Sequence, residues 1–183
     1  IDRALKKCAG TETKVSCVLD FPYGYSGAAA KRAIARDYAA RGVYEIDMVM
    51  NYGAARGGDW ATVETEIRGV VEEAHAKNVG VKVIFETSQL DAEQIRRATE
   101  VSIAAGADFV KTSTGFNGAG ATEEAVRIML DTAAGRAKVK PSGGIRDFAA
   151  AKKYVEMGAA RLGVGYSSCG VICSGEGTST ENY

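Results

Sequence analysis

Lys111, in Asp108-Phe-Val-Lys111-Thr-Ser-Thr-Gly115, and Lys140, in Lys138-Val-Lys140-Pro-Ser-Gly-Gly144, each stand where an apolar run gives way to a Gly/Ser/Thr loop. Burying an ammonium group is costly, so two of them at the ends of apolar segments point to chemistry rather than packing. If the segments are neighbouring parallel strands, both side chains enter one mouth, where like-charge repulsion makes each easier to deprotonate. A deprotonated lysine attacks carbonyl carbon. Asp47, inside Ile46-Asp47-Met-Val-Met50, is the matching acid, because a carboxylate in an apolar strand needs a partner that an inward lysine supplies. The alternative for Asp47 is a buried structural ion pair. Lys82 shares strand parity with Ile84 and Glu86, so it reads either as an interior lysine paired to Glu86 or as a solvated residue.

A second group of residues suits an anion. Ser142-Gly143-Gly144-Ile-Arg146-Asp147 turns a strand into a helix whose exposed N–H groups and positive dipole end can hold a phosphate, and Arg146 adds a formal charge. Gly163-Val-Gly165-Tyr-Ser167-Ser168 offers further N–H and hydroxyl donors. Glycine-rich turns also serve plain loop geometry, so the reading rests on two such loops being adjacent.

The elements that must position these groups follow from the pattern of the chain. Short β-branched runs alternate with helical segments of roughly 12 to 20 residues, as in βα units around a parallel sheet. Strands are predicted at 14–19, 44–50, 80–85, 108–111, 137–140 and 161–164, and helices at 27–40, 59–77, 91–105, 122–134 and 148–157, with a further helical segment over 1–10. Asp91 and Thr122 are N-caps, and Gly42, Gly106 and Gly158 follow the last periodic residues. Six strands fall short of the eight of a (β/α)8 barrel, which typically needs about 250 residues. The expected fold class is therefore α/β, a TIM-barrel type with about six βα units, the two N-terminal ones missing; a complete, open doubly wound sheet is the competing architecture.

At 183 residues the chain suits one domain, read as 1–173 with a glycine-rich polar tail at 174–183. Its 23 basic and 23 acidic residues balance without basic blocks, so neither nucleic acid nor an anionic membrane is an expected partner, and small molecules are. No apolar run approaches a membrane span and no signal-peptide layout opens the chain, which points to the cytoplasm. Cys8, Cys17, Cys169 and Cys173 are too few for a disulfide framework, and Cys169/Cys173 is a weak metal or redox pair. His75, the one histidine, lies on an amphipathic helix and reads as a surface residue, which excludes a zinc site with several histidine ligands.

The segments Lys14-Val-Ser-Cys-Val-Leu-Asp-Phe-Pro-Tyr-Gly24, Glu45-Ile-Asp-Met-Val49, Val81-Lys-Val-Ile-Phe-Glu-Thr87, Gly106 to Gly115 and Val139-Lys-Pro-Ser-Gly-Gly-Ile-Arg146 resemble the deoxyribose-phosphate aldolase family, in order, from Ile1 to Ser168. The resemblance implies that Lys111 forms the Schiff base, that Lys140 lowers its pKa, and that Asp47 is the acid of a proton relay. It further implies that Thr114 orients substrate, that Gly143, Gly144, Gly165, Ser167 and Ser168 hold a phosphate, and that Tyr183 stands where some members carry a terminal tyrosine assisting proton transfer. The implied reaction joins acetaldehyde to glyceraldehyde 3-phosphate, or cleaves 2-deoxyribose 5-phosphate, with no metal or organic cofactor. The loop 163–168 carries two residues more than the family's Gly-x-Ser-Ser, which puts the phosphate serines in question.

Two other functions stay open on the residues alone. One is a non-catalytic, phosphate-binding or subunit-forming remnant that kept the lysine loops; the other is a Schiff-base aldolase with a different substrate. A sheet edge left by the absent units predicts pairing with another chain, hence a homo-oligomer.

Overall fold

The structure is a computed structural model and describes residues 1–175. Tyr183 therefore lies outside the described residues. Helix α1 (Asp2–Cys8) leads to strand β1 (Ser16–Leu19), and the chain continues through α2 (Ala28–Ala40), β2 (Glu45–Val49), a short α3 (Tyr52–Arg56), α4 (Trp60–His75) and β3 (Gly80–Ile84). A single 3-10 turn at Thr87–Gln89 precedes α5 (Ala92–Ala104), followed by β4 (Phe109–Lys111), α6 (Glu123–Ala133), β5 (Lys138–Lys140), α7 (Phe148–Glu156) and α8 (Tyr166–Ser174).

The strands form one parallel sheet in the order β1-β2-β3-β4-β5. Sequential order throughout is barrel order; a doubly wound sheet reverses at a switch point, and this one does not. Period-2 alternation divides the sheet into two faces. Leu19, Ile46, Met48, Val83, Val110 and Val139 belong to the hydrophobic core, and full burial of such side chains contributes about 1.5–3 kcal/mol each. The opposite face is laid out in register rows: Val18, Asp47, Lys82, Phe109 and Lys138 lie side by side, and Val49, Ile84, Lys111 and Lys140 form the next row toward the strand ends. Chemistry-bearing residues thus share one face because they share parity.

Caps set the helix bounds. Asp91 and Gln94 form a reciprocal capping box at α5, and the side chains of Asp59, Thr122 and Asp147 each accept a backbone N–H at the starts of α4, α6 and α7. The predicted sixth strand, 161–164, does not form: it is reduced to one parallel bridge between Ser142 and Gly163. A Cβ on Gly163 would lie 2.6 Å from the Ser142 Cβ, so the two backbones meet too closely there for a side chain. Among the described residues no strand lies on its far side, so the segment has no second ladder to extend it. Residues 166–168, predicted as loop donors, instead open α8.

Candidate active site

Asp47 is the hub. β2 presents it on the inner face, buried, and its Oδ2 accepts from Lys111 Nζ at 2.9 Å and from Lys140 Nζ at 2.8 Å, while Oδ1 accepts from Lys82 Nζ at 2.8 Å. Register explains the convergence: Lys111 and Lys140 are direct neighbours across β4 and β5, one row above Asp47, so both long stems reach back to one carboxylate. Burial pushes the Asp47 carboxyl up, but Lys111, Lys140 and Lys82 outweigh it and hold the group well below the usual carboxylate range. Asp47 is therefore a fixed anion. Lys140 is lowered from its ordinary value, first by burial and then by the Lys111 charge, with Asp47 opposing both.

Lys82 corrects the sequence reading. It is fully buried and interior as one alternative had it, yet its partners are Asp47 and Glu45, the latter at 2.6 Å, and not Glu86. Glu45 also pairs with Arg161, and the Lys82, Lys138 and Arg161 cations lie 5.5, 5.4 and 5.0 Å from the Phe109 ring centre. Below the row of Lys111 and Lys140, then, alternating charges and one aromatic ring tie β2, β3, β4 and the segment after α7 together. Glu45 and Arg161 were missed as site support. Glu45 shares parity with Asp47, which was the available signal; Arg161 is distant in sequence and gave none.

Glu86 follows β3 in left-handed backbone, φ 57°. Its Oε1 accepts from the Thr114 backbone N–H at 3.2 Å and its Oε2 from the Thr114 hydroxyl. Burial raises the Glu86 pKa, while the Thr114 bonds and the Lys111 charge act against that rise. The strand ends are further stitched by backbone bonds from Thr87 to Thr112 O (3.0 Å) and from Thr112 to Lys140 O (3.2 Å).

The two predicted phosphate loops are adjacent. Gly143 and Gly144 both take positive φ, 86° and 74°, in the turn after β5. Gly143 lies back to back with Gly120: its carbonyl accepts from Ala121 N at 3.1 Å, and a Cβ on Gly120 would fall 2.2 Å from that oxygen. The bridge from Ser142 to Gly163 brings the start of α8 beside this turn, with Gly165 as its N-cap, Ser168 buried and Ser167 partly so. Asp147 caps α7 by accepting from Ala150 N at 2.8 Å, so its carboxylate occupies the dipole end that the sequence reading assigned to phosphate. This leaves the glycine turn and α8 as the better anion-binding donors. The Ser142 hydroxyl is used internally, donating to Ser113 O at 2.9 Å.

Loops close over the strand ends from the β1 side. Asp20-Phe-Pro-Tyr-Gly24 is held by Lys31, whose buried Nζ donates to Gly24 O at 2.7 Å and to Glu66, with Asp20 3.5 Å away. Phe21 meets Phe116 edge-on at 5.2 Å between centres, and Asn117 Nδ2 donates to both Pro22 O and the Tyr52 hydroxyl. His75 lies at the opposite end of the sheet, 2.9 Å from Asp108 and half-exposed, as a surface residue of α4. All four cysteines are free thiols. Among the described residues no group of three or more His, Cys, Asp or Glu is placed to hold a metal ion, and no helix is long and apolar enough to cross a membrane.

A family model described as DeoC/LacD family aldolase matches residues 6–174. A deoxyribose-phosphate aldolase of Exiguobacterium sibiricum is 46% identical over 170 residues, covering 93% of this chain and 75% of that protein. One from Bacillus cytotoxicus is 43% identical over 180 residues, covering 98% and 80%. The tetrameric deoxyribose phosphate aldolase structure from Aeropyrum pernix superposes with a TM-score of 0.83 at 30% identity, covering 95% of this chain and 71% of that one. A crystal structure from Coccidioides immitis superposes with a TM-score of 0.87 at 41% identity, over 93% of this chain and 66% of that one. The chain thus spans about three quarters of the length of these curated relatives and about two thirds of the Coccidioides structure.

Proposed function

The chain belongs to the DeoC/LacD family of aldolases, and from that premise we propose that it is a class I aldolase that reversibly cleaves 2-deoxy-D-ribose 5-phosphate to acetaldehyde and D-glyceraldehyde 3-phosphate. The observation that carries this reading is the convergence of Lys111 and Lys140 on one buried carboxylate at the strand ends. A bare structural ion pair needs one lysine, and Lys82 already supplies it on the other oxygen.

The chemistry follows from the geometry. The Lys111 amine adds to C1 of the open-chain sugar, and loss of water leaves a protonated imine that serves as the electron sink. Removal of the C3 hydroxyl proton lets the C2–C3 pair of electrons flow into the imine; glyceraldehyde 3-phosphate departs and an enamine remains on Lys111. Protonation at C2 and hydrolysis then release acetaldehyde and regenerate the amine. Asp47 is held too far below the carboxylate range to be an effective base, whereas Lys140 is lowered toward a working proton carrier. We assign the moving proton to Lys140 and its orientation to Asp47, which reverses the emphasis of the family-based reading. Gly143, Gly144, Gly165 and the Ser167–Ser168 end of α8 are the proposed phosphate cradle, Thr114 a contact to the sugar hydroxyls, and Tyr183 the proposed terminal proton-transfer group. Binding energy at the phosphate, remote from C1, holds the reacting carbons in register. The reading includes a cytoplasmic enzyme, with deoxyribose phosphate breakdown as its role, acting as a homo-oligomer.

The test is covalent trapping. Incubation with acetaldehyde and reduction with borohydride should leave one ethyl adduct, on Lys111 by peptide mass mapping. A folded sample that carries no adduct there overturns the aldolase reading and leaves the non-catalytic remnant. Lys140→Leu should retain the ability to form the adduct but trap it about 10²-fold more slowly at pH 7, the low end of the range ascribed to proton-transfer groups.

A further inference from the structure

Thr114 has one hydroxyl proton and two lone pairs, and the structure shows how most of them are committed. The hydroxyl donates to Glu86 Oε2 and accepts from the Phe116 backbone N–H at 3.1 Å. Glu86 Oε1 meanwhile accepts the backbone N–H of the same threonine at 3.2 Å, so the carboxylate grips Thr114 at two points. One lone pair remains. Toward a bound molecule Thr114 can accept a hydrogen bond but has no proton to give.

Glu86 is built for this task at some expense. It is fully buried, and it takes left-handed backbone (φ 57°, ψ 61°), a conformation disfavoured for a residue that carries a Cβ. The turn diverts its side chain from the line of β3 toward the loop after β4 instead of extending the strand. Burial opposes its charge, yet among the described residues it forms no ion pair; the two Thr114 bonds and then the Lys111 charge are what favour the ionised form. Among the described residues this buried carboxylate has no salt-bridge partner, and its side-chain hydrogen bonds both go to Thr114 in the loop that follows Lys111.

We propose that Glu86 sets the hydrogen-bond polarity of Thr114, making it an acceptor-only contact that selects substrates carrying a hydroxyl beside the reacting carbonyl. Glu86 is thus a positioning and specificity residue, acting through Thr114. This rests on the aldolase reading above, with Thr114 three residues beyond Lys111. The hydroxyl in question is the one glyceraldehyde 3-phosphate bears next to its aldehyde, which becomes the C4 hydroxyl of the sugar. Glutamine at position 86 would keep one accepted bond, from the Thr114 N–H, but present an amide N–H to the hydroxyl, turning Thr114 into a donor with the same shape.

The experiment compares cleavage of 2-deoxyribose 5-phosphate with cleavage of its 4-deoxy-4-fluoro analogue, whose fluorine can accept but not donate, in wild type, Glu86→Gln, Thr114→Val, Thr114→Ser and the Glu86→Gln/Thr114→Val pair, and traps the acetaldehyde adduct in each. Wild type should prefer the hydroxylated sugar by about tenfold or more, because the fluoro analogue sets an acceptor against an acceptor. Glu86→Gln should raise kcat/KM for the fluoro analogue and change that for the natural sugar less, since a hydroxyl can accept from Thr114 as well as donate to it, so the ratio collapses. Acetaldehyde has no hydroxyl, and its adduct should form on Lys111 in every variant. Thr114→Val should collapse the same ratio, the double variant should fall no further, and Thr114→Ser should keep it. An unchanged ratio in folded Glu86→Gln, or in Thr114→Val should the first variant fail to fold, overturns the proposal, as does an additive double variant. Absence of the wild-type adduct overturns the aldolase reading instead, so the two failures are told apart.

Discussion

Asp47 accepts hydrogen bonds from three ammonium groups, and the consequences of removing its charge are correspondingly large. Asp47→Asn leaves Lys111 and Lys140 without a counter-ion in a buried mouth. We expect stability to fall by about 3–5 kcal/mol in urea melts, as for breaking a buried pair, and kcat/KM by about 10²–10⁴-fold. The pH dependence has a definite sign. The folded-state pKa of Asp47 is depressed, so its contribution is complete above the unfolded value of about 4 and is lost as pH falls from there through the folded value. Denaturant midpoints from pH 7 to pH 3 should show that loss below pH 4 in wild type, and a smaller one in Asp47→Asn. At this scale the sequence was informative where parity and type coincide: Lys111, Lys140 and Asp47 share a face because the strand period is 2. It was silent on Lys82 as their neighbour, since parity does not say which carboxylate a flexible four-carbon stem will choose, and Glu86 and Glu45 were both within its reach by that rule.

Helices α2 and α4 carry none of the proposed reacting groups, yet they hold the loop at the strand ends where those groups lie. Lys31 of α2 is buried, donates to Glu66 of α4 and to Gly24 O, and so fastens Asp20–Gly24 over the strand ends. Lys31→Met should strand Glu66 as a buried charge with only Asn51, 3.4 Å away, as a polar partner, and lower stability by about 3–5 kcal/mol in thermal or urea unfolding. Replacing both partners, Lys31→Met with Glu66→Leu, should recover most of that stability. The Gly24 carbonyl stays untied, so activity should remain below wild type, which separates loop placement from stability in one pair of measurements. Element bounds were legible wherever a cap wrote them: Asp91, Thr122 and the glycines at 42, 106 and 158 placed helix ends to within a residue or two. The sixth strand was not legible as a lone bridge, because Arg161–Val164 has the composition of a strand and lacks only a neighbour, which is a property of the sheet rather than of the segment. The short α3 and the start of α8 escaped for the opposite reason, being too brief or too glycine- and serine-rich to show a period.

The whole sheet carries an unusual asymmetry: its outer face is sealed by helices, while β1 at its margin pairs with only one described strand and turns Val18 inward and 44% exposed, beside the buried Asp47 in register. An edge strand with unpaired backbone groups and an apolar side chain is a template for association. We therefore expect the 19.2 kDa chain to self-associate. Sedimentation velocity at micromolar concentrations should show species heavier than one chain that shift with dilution. Val18→Lys, which places a charge on the open face next to Asp47, should move the distribution to the monomer. Association unchanged by this substitution would place the contact elsewhere on the molecule, and would mean that the open side of the sheet is tolerated in water as it stands.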